Sequence, residues 1–162
     1  MKNISTETKV IGGLGILTLV ILVGGVFLLS SQQSKEVSIP EGEVVSRVGL
    51  HWHPKLTITI KGKKEQIPAN LGIGAVHQKM HTHDQDAKDG VIHMEMKGIV
   101  SKEDTKLSNF FRIWGKEFTS TKIFDKTNGS DGKMKMLVNG KANTDFENYL
   151  MKDKDTIEIR YE

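Results

Sequence analysis

The longest unbroken apolar pattern runs from Val10 to Leu29, V-I-G-G-L-G-I-L-T-L-V-I-L-V-G-G-V-F-L-L, twenty positions without a charge. Wound as a helix, such a stretch rises ~30 Å, the thickness of a bilayer's hydrocarbon core. Its glycines weaken a soluble helix but are common in membrane-spanning ones. The pattern therefore predicts an N-terminal transmembrane helix that anchors the chain over residues 1–29. Lys2 and Lys9 precede it, and this small charge bias favours an N-terminus inside. A cleaved signal peptide is the competing reading, but the run exceeds a usual h-region and no A-x-A-like site follows. Either reading puts the rest of the chain outside the cytoplasm, at the cell surface or in a periplasm-like space. Residues 30–43 are polar, aperiodic and hold one proline, and they read as a tether.

From residue 44 to 162 the periodicity becomes that of a folded domain. L-T-I-T-I (Leu56–Ile60) alternates as a half-buried strand does, and K-G-K-K makes a turn after it. V-I-H-M-E-M, ending at Met96, alternates again. Leu107, Phe110, Phe111 and Trp114 fall at i, i+3, i+4 and i+7, the spacing of one helix face, and Gly115 follows as a C-cap glycine would. Ser108 or Thr105 is the expected cap at its start. The last thirty residues predict a strand over Met134–Val138, an Asn139-Gly140 turn and an irregular or short helical stretch around Phe146–Met151. A strand over Thr156–Tyr161 closes the chain. The class expected is α+β, a mostly antiparallel sheet with one principal helix packed on it.

Composition removes several kinds of chemistry. With no cysteine, the chain has no thiol nucleophile, no disulfide and no thiolate to hold zinc or an iron–sulfur cluster. The net charge of +3 comes from lysines spread along the chain, with no basic stripe interleaved with aromatics. Nucleic-acid binding is not expected. Nor does the sequence supply a serine or lysine nucleophile constellation, a phosphate loop or a dinucleotide fingerprint.

What remains is histidine. Five of the six in the chain lie in G-L-H-W-H-P (Gly49–Pro54) and M-H-T-H-D-Q-D-A-K-D-G-V-I-H-M-E-M (Met80–Met96). Random placement of six histidines gives about 0.2 H-x-H pairs; the chain holds two, His51/His53 and His81/His83. In a strand, residues two apart share a face. Each H-x-H pair therefore projects two imidazoles together, and His93 projects with Glu95. If these strands are neighbours, about six ligand groups converge, a set suited to zinc, copper, iron or nickel.

His77 lies four before His81, aligns with it only in a helix, and is expected to be a bystander. Alternation points Met94 and Met96 away from His93 and Glu95, as core methionines rather than cuprous-copper ligands. Asp84, Asp86 and Glu95 match positions 1, 3 and 12 of a calcium loop, but Lys88 occupies position 5 and the glycine comes one late at Gly90. Asp89-Gly90 reads better as the turn between two ligand strands.

These motifs also resemble those of an uncharacterised family of small exported bacterial and archaeal proteins. The shared pattern is His51–His53, Leu56–Ile60, I-P-A-x-x-G-I-G at Ile67–Gly74, H-T-H-D at His81–Asp84, G-x-I-H-x-E at Gly90–Glu95, F-F-x-x-W-G at Phe110–Gly115 and Val138–Gly140. The resemblance implies that His51, His53, His81, His83, Asp84, His93 and Glu95 belong to one site. The loop between Asp84 and Gly90 is longer here than in that pattern. The last thirty residues further resemble the closing half of small β-grasp proteins such as sulfur carriers. This chain ends Arg160-Tyr161-Glu162 rather than Gly-Gly, so carrier chemistry is not implied.

The expectation is a membrane-tethered, extracytoplasmic domain that binds zinc or copper for sequestration, sensing or delivery. A metal-dependent enzyme using Asp84 or Glu95 as general base is the alternative. A histidine-based, pH-responsive interaction module is the third reading. The sequence names no protein partner.

Overall fold

A computed structural model describes residues 39–162. The anchor expected over residues 1–29, and the tether up to residue 38, lie outside the described residues. Among these, no helix is long and apolar enough to cross a membrane. In chain order the strands are β1 (Val44–Ser46), β2 (Leu50–Trp52), β3 (Lys55–Ile60), β4 (Lys63–Glu65), β5 (Met80–His81), β6 (His93–Met96) and β7 (Val100–Ser101). Helix α1 (Leu107–Trp114) follows. After it come β8 (Lys122–Ile123), β9 (Lys126–Thr127), β10 (Met134–Val138), β11 (Lys141–Ala142) and β12 (Thr156–Tyr161).

The principal sheet has the order β11-β10-β12-β3-β4. Its strands alternate as a sheet covered on one face must. β3 buries Leu56 and Ile58, β12 buries Ile157, Ile159 and Tyr161, and β10 buries Met134 and Met136. Leu107, Phe110 and Phe111 of α1 join the same core, so the helix covers that face. The domain is thus α+β, mostly strands with one α-helix, and most strand pairs are antiparallel. The exception is central: β12 runs parallel to β3, from Lys55↔Thr156 to Ile60↔Tyr161. A parallel pair needs a long crossover, and here most of the domain forms that connection.

Two hairpins follow from their turn residues. Lys61-Gly62 and Asn139-Gly140 have both residues at positive φ, the geometry of a two-residue type I′ turn. Asn139 also accepts the Thr156 N–H at 2.8 Å and donates to Asp155 Oδ1 at 2.9 Å. Asp155 is buried, and its other oxygen accepts from the Tyr149 hydroxyl at 2.7 Å and the Lys152 N–H at 2.8 Å. Burial, then this bond to Asp155, pushes the Tyr149 hydroxyl far above the ordinary tyrosine range.

The helix ends as the sequence indicates, with Gly115 left-handed (φ 68°) and its N–H on the Arg112 carbonyl. Its start corrects the expected cap. Neither Ser108 nor Thr105 caps it; the capping position is Lys106, with no side-chain bond. The Leu107 N–H is satisfied instead by the Tyr149 carbonyl at 2.9 Å, and Thr105 turns its hydroxyl to the Lys102 carbonyl. A distant backbone oxygen has replaced the local cap.

Candidate metal centre

A second sheet, of order β2-β6-β5, carries the histidines. Both of its pairings are antiparallel, with His51 opposite Glu95 and His81 opposite His93. Carrying the first register on by two residues sets His53 beside His93, and their rings lie 4.8 Å apart. The alternation along β6 does the sorting. Met94 and Met96 are buried in the core, as is Met80 of β5, while His93 and Glu95 occupy the opposite face. Gly49 lets β2 lie this close to β6, because a Cβ there would sit 2.3 Å from the Met96 carbonyl oxygen.

His81 is fully buried, and the segment before it explains how. Thr82, itself buried, clips residues 68–71 over the strand. Its hydroxyl donates to the Pro68 carbonyl at 2.7 Å and accepts the Leu71 N–H at 3.0 Å. Its own N–H donates to the Leu71 carbonyl. Gly72 (φ 75°) then crosses so near that a Cβ would lie 2.6 Å from the Met80 carbonyl oxygen and 3.2 Å from His81 Cβ.

Under this cover, His81 Nδ1–H donates to the Gln78 carbonyl at 3.3 Å. That bond fixes the tautomer and leaves Nε2 with its lone pair free. Nε2 is buried without a hydrogen-bond partner. A buried unpaired polar atom costs about 1–3 kcal/mol, and a metal ion is one partner that satisfies it. Burial, then the neighbouring His77, holds the His81 imidazole below its ordinary pKa. It is neutral at pH 7, the form that ligates.

His93 is oriented from its other side. Its Nε2 lies 2.9 Å from Asp86 Oδ2, an imidazole N–H donating to a carboxylate. Such a bond fixes the ring and raises the basicity of the remaining nitrogen. Asp86 comes from the loop after His83, where residues Ala87–Asp89 make one 3-10 turn ended by left-handed Gly90. Gly90 passes directly over β3; a Cβ would meet the Leu56 carbonyl oxygen at 2.1 Å. His53 is pinned by its backbone, which donates to Asp153 Oδ1 at 2.9 Å. Its imidazole is also held below the ordinary value, by burial first and then by His93 and His51.

The rings form one continuous cluster, with centroid distances of 4.6 Å for His51–His53, 4.5 Å for His83–His93 and 5.5 Å for His81–His93. Two sets of three imidazoles have ligand atoms within 4.8 Å of one another: His51/His53/His93 and His81/His83/His93. Glu95 borders both, its Oε1 3.3 Å from His51 Nε2 and 4.0 Å from His81 Nε2.

Of the residues singled out by sequence, the five histidines converge with Glu95 at their edge. Asp84 does not join them: it is exposed, and its carboxylate accepts from the Asn70 amide at 2.8 Å. His77 belongs to neither set, and its ring packs 4.2 Å from His81. Sequence reasoning missed Asp86 and Asp153 as supports, since both sit in loops where no periodicity marks them. No protein-family model, curated protein or solved structure matches the chain.

Proposed function

We propose that residues 44–162 form a membrane-tethered, extracytoplasmic domain that binds a divalent transition metal, zinc or copper, for its sequestration, sensing or delivery. The observation that carries this reading is the buried, unpartnered Nε2 of His81, with the rings of His83 and His93 packed around it. Nitrogen donors beside a carboxylate suit Zn²⁺ and Cu²⁺. With Met80, Met94 and Met96 in the core, no thioether is available from these strands to favour cuprous copper. The tether rests on the uncharged run Val10–Leu29. The scaffold that accompanies this reading is β-grasp, supported by the five-strand order with its parallel central pair.

A catalytic reading has one observation in its favour. Three imidazoles leave a coordination position open, and the Glu95 carboxylate stands beside both sets as a candidate base. Asp84, committed to Asn70, is the weaker candidate.

The test uses full-length protein without a histidine tag, purified in detergent, with elemental analysis and calorimetric titration of Zn²⁺ and Cu²⁺. Tight binding of either ion supports the reading. Failure of both ions to bind more tightly than to a chain with alanine at His81, His83 and His93 overturns it. Recovery of the full chain, with an intact N-terminus, from the soluble fraction overturns the tether.

A further inference from the structure

The two imidazole sets are not equivalent, and they are not independent. His51 is exposed and His53 half-buried, whereas His81 is fully buried beneath the segment held by Thr82. His93 belongs to both. Its Nε2–H is committed to Asp86, so one nitrogen lone pair remains for a metal. Two ions cannot share that pair. Glu95 Oε1 reaches toward one member of each set, His51 at 3.3 Å and His81 at 4.0 Å.

Resting on the metal-binding reading above, we propose that the cluster is a two-station relay for a single divalent ion. The ion is captured at the outer station, His51/His53/His93, and held at the inner one, His81/His83/His93. It moves between them by exchanging two imidazoles for two others while His93 stays bound and Glu95 bridges the exchange. The ion's ligand count and ligand charge are unchanged, since two imidazole nitrogens replace two imidazole nitrogens. The physical advantage is that no step needs a bare ion. Leaving the inner station directly requires all three ligands to let go beneath a buried ring; leaving through the outer station breaks them in sequence.

The relay separates rate from affinity, and this makes it testable with Zn²⁺ on the full-length, tag-free protein. Stoichiometry is read by titration, and release by stopped-flow mixing with a chromophoric chelator. The wild type is expected to bind one ion. His51→Ala with His53→Ala is expected to keep affinity within about threefold while slowing both uptake and release at least tenfold. Both residues reach the surface, so the fold is not at stake; Glu95→Gln, also exposed, is expected to slow exchange in the same direction. His81→Ala with His83→Ala is expected to weaken binding at least a hundredfold and to leave release fast. Two ions per wild-type chain overturn the relay in favour of a bridged pair. One ion, with exchange as fast in the outer-station variant and in Glu95→Gln as in wild type, overturns it while leaving the metal site intact. No bound ion at all overturns both.

Discussion

Asp86 accepts from His93, Nε2 to Oδ2 at 2.9 Å, and so leaves Nδ1 as the nitrogen of the shared imidazole with a free lone pair. Removing that support frees the ring to turn. Asp86→Ala is expected to weaken Zn²⁺ binding by roughly 10–100-fold with the melting temperature little changed. Competition against a chelator of known affinity measures it, and an unaltered dissociation constant would show that Asp86 does not orient a ligand.

His81 and His77 make a matched pair of imidazoles in contact, only one of which offers its nitrogen to a set of three. His81→Ala is expected to raise the zinc dissociation constant by about tenfold or more, since a ligand is lost. His77→Ala is expected to change it less than about threefold, because the ring packs without ligating. Calorimetry on the two variants side by side decides between them. Equal losses would mean that His77 coordinates as well.

Burial holds both His53 and His81 below the usual histidine value of 6.5. Between that value and the folded ones, the unfolded chain binds more protons than the native one. The contribution of these neutral imidazoles to stability is therefore complete above pH 6.5 and is lost as the pH falls through that window. Urea midpoints of the metal-free protein are expected to drop between pH 7.5 and pH 5, and metal affinity with them. A midpoint flat over that range would contradict the burial of His81.

Phe111 is buried and stacks on Phe118 at 4.3 Å, whereas Trp114 is only partly buried, 5.4 Å from Phe124. Phe111→Ala is expected to cost about 3–5 kcal/mol. Trp114→Ala is expected to cost less, as its side chain is only partly buried. Denaturant melts of the two variants measure the order, and a larger loss at Trp114 would reverse it.

Local pattern explains which parts of this arrangement could be read in advance. Leu56–Ile60, Leu107–Trp114 with Gly115, and Asn139-Gly140 each follow from side chains within a few residues of one another. Strand phase likewise put His93 with Glu95 and turned Met94 and Met96 away, because alternation is a property of the strand alone. Which strands become neighbours is not. The parallel pairing of β3 with β12, the Tyr149 carbonyl that caps α1, and the clip of Thr82 on Pro68 all join distant segments. Asp84 and Asp86 differ by one turn of a loop, yet one meets Asn70 and the other His93. Loop residues carry no period from which that choice could be made.

The pairing of β3 with β12 also sets a timetable. His53 and Pro54 lead directly into β3, and the His53 N–H is held by Asp153, a hundred residues along the chain. A contact over that separation closes late, after the loop entropy of nearly the whole domain has been overcome. During synthesis, His53 therefore gains its final geometry only once the last strand has emerged and docked. A nascent chain cut short of Thr156 has the histidines but lacks the strand beside which His53 is set.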